Sequence, residues 1–198
     1  RSILTLNFKD INMFSTFKKA ALLAAIALPF STMAAPTVTF QGEVTDQTCS
    51  VNINGQTNSV VLLPTVAMAD FGATLADGQS AGQTPFTVSV SNCQAPTGAD
   101  QAINTTFLGY DVDANTGVMG NRDTSSDAAK GFGIQLMDSS TSGNPVTLAG
   151  ATNVPGLTLK VGDTEASYDF GARYFVIDSA AATAGKITAV AEYTLSYL

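Results

Sequence analysis

Apolar residues after position 36 come in short runs that alternate with polar ones or are rich in β-branched side chains, and Gly, Asn, Asp, Ser or Pro bounds nearly every run. A period of two puts successive side chains on opposite faces of a strand, so each run predicts a strand with one buried face. Thr37–Val44 sets Val38, Phe40, Gly42 and Val44 on one face, and Cys49–Ile53 repeats the pattern ahead of an Asn54-Gly55 turn. Further strands are predicted over Ser59–Leu63, Phe86–Val90, Asn104–Val112, Gly131–Met137, Pro145–Leu148, Leu157–Val161, Ala172–Ile177 and Lys186–Tyr197. So many short strands suit two packed antiparallel sheets, and the expected fold class is all-β, a β-sandwich. The Gly-, Ala-, Ser- and Asp-rich stretches Ala67–Thr84 and Asp113–Lys130 read as loops, the second with one helical turn. No unit repeats at a solenoid period, and no long window keeps a helical face.

One run breaks the pattern. Ala20–Phe30 is apolar for 11 residues, follows Lys18 and Lys19, and ends in the small-residue stretch Ser31-Thr-Met-Ala34. That order is a secretory signal peptide starting at Met13 and cleaved after Ala34. It is too short to span a bilayer stably. Residues 1–12 show no leader pattern and are expected to be a non-native upstream segment. The mature chain, 35–198, then has 164 residues, enough for one domain with one core.

Removing the leader leaves 5 basic and 15 acidic residues, a net charge of −10. Nucleic acid is excluded as a partner, because phosphate binding needs clustered Lys and Arg. Cys49 and Cys93 are the only cysteines, and in an exported chain they are expected to pair. With no histidine and two thiols, a structural zinc site is short of ligands, so no metal is expected.

The chain is read as a non-enzyme that needs no cofactor. Without histidine the Ser-His-Asp and Cys-His arrangements are absent, and the carboxylates are scattered through polar turns. Asp111-Val-Asp113-Ala-Asn115-Thr-Gly117 imitates the start of a calcium loop, but its glycine falls at position 7, and position 12 is Arg122 where a bidentate glutamate is required. A strand end running into an Asn-Thr-Gly turn accounts for the same residues.

The ends of the mature chain say more. Near the C-terminus Tyr193, Leu195 and Tyr197 alternate with Glu192, Thr194 and Ser196, so the domain ends on a strand. Six segments then stand in order behind the leader. They are Val38–Val44, Thr45-Asp-Gln-Thr-Cys49-Ser-Val51, Val60-Val-Leu-Leu-Pro64, Ala81-Gly-Gln-Thr-Pro-Phe86, Val88-Ser-Val-Ser-Asn-Cys93, and a last strand with penultimate Tyr197. This arrangement resembles the major subunits of chaperone-usher, type 1-like fimbriae over the whole mature chain.

The resemblance implies an incomplete immunoglobulin-like β-sandwich completed by donor-strand exchange. It implies a structural fimbrial subunit that forms a homopolymer with identical or related pilins, supports cell adhesion, and reaches the cell surface through the periplasm. A periplasmic chaperone and an outer-membrane usher are the implied partners. The donor segment is about 35–44, with Val38, Phe40, Gly42 and Val44 on its inserting face. Tyr193, Leu195, Tyr197 and the terminal carboxylate of Leu198 are expected to form the groove wall and the chaperone-binding strand. Only 14 mature residues precede Cys49, so the donor is short. The alternative is a minor or tip subunit with sugar-binding activity, against which stand the lack of tryptophan and of length for a separate receptor domain.

Overall fold

The computed structural model describes residues 44–47 and 49–197. The signal peptide, Val38, Phe40, Gly42 and Leu198 lie outside the described residues.

Among the described residues, nine strands run in chain order as β1 (Ser50–Ile53), β2 (Ser80–Ser91), β3 (Gln101–Gly109), β4 (Met119–Gly120), β5 (Phe132–Met137), β6 (Pro145–Val146), β7 (Thr152–Leu159), β8 (Ala166–Val176) and β9 (Ala191–Tyr197). One sheet has the order β1-β2-β8-β5-β4, with β6 also beside β5, and the other has the order β7-β3-β9. Every pairing between these strands is antiparallel.

The period-two pattern does what it predicts along β2, where Phe86, Val88 and Val90 are buried and Thr87, Ser89 and Ser91 are not. Phe86 lies opposite Phe170 on β8. From the facing sheet Phe107 meets both rings edge-on, at centroid distances of 6.3 and 5.7 Å, so three aromatic side chains join the two layers. Such contacts add about 0.5–1.5 kcal/mol per pair to the area the rings bury. The one buried polar side chain on β5, Gln135, accepts hydrogen bonds from Nε and Nη2 of Arg173 at 2.9 and 2.7 Å, which offsets its desolvation.

Asn54 and Gly55 both take positive φ, 48° and 79°, in the expected turn, and Ile53 and Gln56 exchange backbone hydrogen bonds across it. The chain leaving that turn does not form the strand expected over Ser59–Leu63. It alternates in burial, yet no ladder pairs it with a described strand. The stretch Ala67–Thr84, expected to be a loop, instead holds a 3₁₀ turn at Met68–Phe71 and the first five residues of β2. Phe71 packs on Phe132 there, with ring centroids 5.2 Å apart, and caps one end of the sandwich. Asp113–Lys130 holds the expected single helical turn, closed by the Gly117 N–H donating to the Asp113 carbonyl at 2.8 Å, and it also contains β4.

The remaining shifts are at strand ends. Strand β3 stops at Gly109, because Tyr110 turns its N–H to Val190 and Asp111 takes a φ of 50°. Strand β7 starts at Thr152 and runs through Pro155-Gly156, residues that argue against a central strand. It is an edge strand, which tolerates a proline. The register slips beside Gly156, whose φ is 151° and where a Cβ would fall 2.6 Å from the Tyr168 ring.

Candidate functional site

Strand β9 is paired on one side by β3, and no described strand pairs along its other side. Its register puts Tyr193 opposite Phe107, Leu195 opposite Thr105 and Tyr197 opposite Ile103. Residues directly opposite in a sheet share a face. The β3 members are at most 3% exposed, whereas Tyr193, Leu195 and Tyr197 are only partly buried. The core is covered over β3 and partly uncovered one strand further out.

The same alternation extends back from β9. Ile187, Ala189 and Ala191 turn inward, and Thr188 and Val190 outward. One backbone edge of this run is held. Thr188 C=O accepts from the Arg122 N–H at 2.7 Å, Val190 C=O accepts from the Tyr110 N–H at 3.0 Å, and the Asn121 side chain bonds both Lys186 C=O and the Thr188 N–H. Across a gap lies the segment 58–66, with Val61 and Leu63 facing inward and Val60 and Leu62 76% and 82% exposed. Among the described residues, no backbone group of 58–66 has a hydrogen-bond partner.

Between these walls is a cleft of about 500 Å³ whose floor is Phe86, Phe107, Ile134, Leu136 and Ala172, and among the described residues no charged side chain lines it. A neighbouring cavity of about 500 Å³ shares Tyr174, Ile187 and Thr188 and reaches Phe71 and Phe132. The arrangement is two backbone edges, spaced by a gap, over an apolar floor. Chemically it can accept an extended segment whose backbone bonds to the edges and whose alternate side chains enter the floor.

At the mouth of the wall, the Tyr110 hydroxyl bonds the Glu192 carboxylate, and this bond raises the phenol pKa. Arg122 sits over the Tyr110 ring at 5.4 Å and pairs with Asp111. The calcium-like loop is engaged otherwise: Asp113 Oδ1 accepts from the Thr116 hydroxyl and N–H, at 2.8 and 2.9 Å, and these bonds lower its pKa. Cys49 and Cys93 form a disulfide.

The comparison with known proteins settles what kind of chain this is. A family model described as fimbrial protein matches residues 38–198. The chain belongs to the fimbrial protein family. It is 36% identical over 177 residues to the major fimbrial subunit SMF-1 of Stenotrophomonas maltophilia (strain K279a), covering 86% of this chain and 98% of that protein. It is 33% identical to the F17 fimbrial protein of Escherichia coli, covering 81% of this chain and 86% of that one. Among solved structures, the P pilus rod subunit PapA superposes with a TM-score of 0.53 at 19% identity, over 76% of this chain and 99% of that one. A subunit from a chaperone-usher pilus also superposes at 0.53, at 18% identity, over 86% of this chain and all of that one. The fold is therefore that of pilus subunits, an immunoglobulin-like sandwich, and this fimbrial protein is a structural subunit.

Of the residues singled out in the sequence, the structure places Tyr193, Leu195 and Tyr197 together on the inner face of β9. Val44 is fully exposed, and Val38, Phe40, Gly42 and Leu198 lie outside the described residues. Sequence reasoning missed Val61 and Leu63 as one wall and Ile187 and Ala189 as the other. Their signal was present in the alternation of Ser59–Leu63 and Lys186–Tyr197. Both runs read as ordinary strands, because pattern alone does not say whether an edge has a partner.

Proposed function

We propose that this fimbrial subunit polymerises by donor-strand complementation, the segment 35–44 of one copy entering the cleft of the next. The observation that carries the reading is the exposure gradient from β3 to β9, together with unpaired backbone on 58–66 across the gap. An inserted strand would bond both edges, and Val38 and Phe40 would face the floor. Each apolar side chain so buried contributes about 1.5–3 kcal/mol.

On this reading the chain acts by assembly rather than catalysis. It is made with the signal peptide 13–34 and reaches the periplasm as residues 35–198. A chaperone covers the cleft there, pairing along Tyr193, Leu195 and Tyr197 and holding the Leu198 carboxylate with basic residues. An outer-membrane usher then exchanges the chaperone for the next subunit's donor, and the finished fimbria supports adhesion at the cell surface.

The test is the double substitution Val38→Asp/Phe40→Asp, in which two carboxylates replace the plugs and meet an uncharged floor. Fimbriae should be lost from the cell surface by electron microscopy, while monomer still co-purifies with chaperone. Normal fimbriae from that variant would show that the donor lies elsewhere.

A further inference from the structure

Among the described residues, one hydrogen bond bridges the two walls of the cleft. Cleft-lining residues run as far as Ser59 on one wall and Ala191 on the other. Two residues further along each wall stand Thr57 and Tyr193, and the Tyr193 hydroxyl donates to the Thr57 carbonyl at 2.6 Å. Among the described residues this is the one hydrogen bond joining 57–66 to β9. It crosses the gap where the open volume ends.

We propose that the Tyr193 phenol is a latch that closes this end of the cleft in the empty subunit and opens when a strand enters. The inference rests on the strand-acceptor reading and adds a residue that governs its rate. A strand advancing along β9 past Ala191, toward the half-buried Leu195, has to pass between Thr57 and Tyr193. The walls part there only when the hydroxyl leaves the carbonyl. Thr57 C=O then accepts an N–H of the incoming strand, so its acceptor is satisfied before and after, and the cost falls on the passage between. Thr57 is exposed, so water can bond its carbonyl while the walls part, and the barrier is the loss of the one net hydrogen bond to the phenol. The Tyr193 ring has a separate job. It lies opposite Phe107 and packs on the core cluster, a contact that phenylalanine would keep.

The experiment compares the full exported chain with its Tyr193→Phe variant, each mixed with a fluorescent synthetic peptide of residues 35–47. Anisotropy gives the insertion rate and the final affinity. Losing one net hydrogen bond from the empty state should speed insertion about fivefold. Amide hydrogen exchange over 57–63 should be faster in the peptide-free variant, and affinity should rise by no more than the same factor. Tyr193→Leu, which also lacks the hydroxyl, is the second variant and should accelerate insertion likewise. Equal insertion rates in wild type and in either variant would overturn the latch while leaving the acceptor groove standing. A peptide that enters none of the proteins would overturn the groove reading and the latch with it.

Discussion

Removing the disulfide by Cys49→Ala/Cys93→Ala should cost about 4 kcal/mol of stability on the chain-entropy account, because the bond closes a loop with a sequence separation of 44. Alanine at both positions avoids a lone reactive thiol and buries no new hydroxyl, which matters because Cys93 lies in the core. The loop that is closed is the functional one: it holds β1, the wall segment 58–66, the 3₁₀ turn and all of β2. Strand β1 is short and among the described residues pairs only β2, from Ser50 opposite Ser91 to Ile53 opposite Val88. Beyond the Asn54-Gly55 turn, no ladder with a described strand holds the wall, and the disulfide tethers that side of the cleft covalently. Domains of this size are stable by about 5–15 kcal/mol, so the loss is a large share of the total. Urea unfolding followed by circular dichroism measures it, tyrosine fluorescence being the second probe since the chain has no tryptophan. With a slope of about 2 kcal/mol per molar, the midpoint should fall by roughly 2 M. A shift below about 0.5 M with an unchanged slope would refute the reasoning.

Two other outcomes are expected. A short polar extension after Leu198 removes no core atom, yet it should abolish co-purification with chaperone and lead to degradation in the periplasm; wild-type yield of the complex would remove the carboxylate anchor. Acid should destabilise the subunit: hydrogen bonds from Ser179, Lys160, Thr116, Ser125 and Lys186 hold Asp77, Asp100, Asp113, Asp123 and Asp127 below the ordinary carboxylate value. A folded pKa below the unfolded one gives stability that is present above the unfolded value near 3.9 and is lost as pH falls through the folded one. With no histidine to titrate, Tm should hold between about pH 5 and 8 and drop below about pH 4, and a fall already between pH 7 and 5 would contradict the assignment.

The sandwich was legible because its core strands obey the simplest rule. Phe86, Val88 and Val90 alternate cleanly, and the Asn-Gly turn and the two cysteines stand where the fold uses them. What the sequence hid follows from physics that a local pattern does not carry. Pro155-Gly156 reads as a break and is a bulged edge strand, since an edge position costs proline nothing on its open side. Ser80–Thr84 looks like linker because its small residues give no alternation, yet it continues β2. Its partners Phe175, Tyr174 and Ala172 come from far along the chain. The cleft was half legible: Tyr193, Leu195 and Tyr197 announce one face of a strand, but only the tertiary pairing shows that the face is incompletely covered.

The mature chain's charge bears on how such a subunit chooses its partner. On the proposed cleavage, residues 35–198 carry a net charge of −10, so copies repel one another, and the repulsion is felt over about 10 Å at 0.1 M salt. Attraction between copies must therefore come from somewhere that carries little of that charge. The cleft meets this condition, since its described lining is uncharged, and so does the segment 35–44, whose one charged residue is Glu43. Like charge elsewhere on the surface opposes unspecific association, while backbone pairing and side-chain insertion reward a strand seated in register. A uniformly sticky sandwich with the same open edge would aggregate. On the proposed reading, the acidic surface and the neutral cleft together make strand insertion the favoured contact between copies.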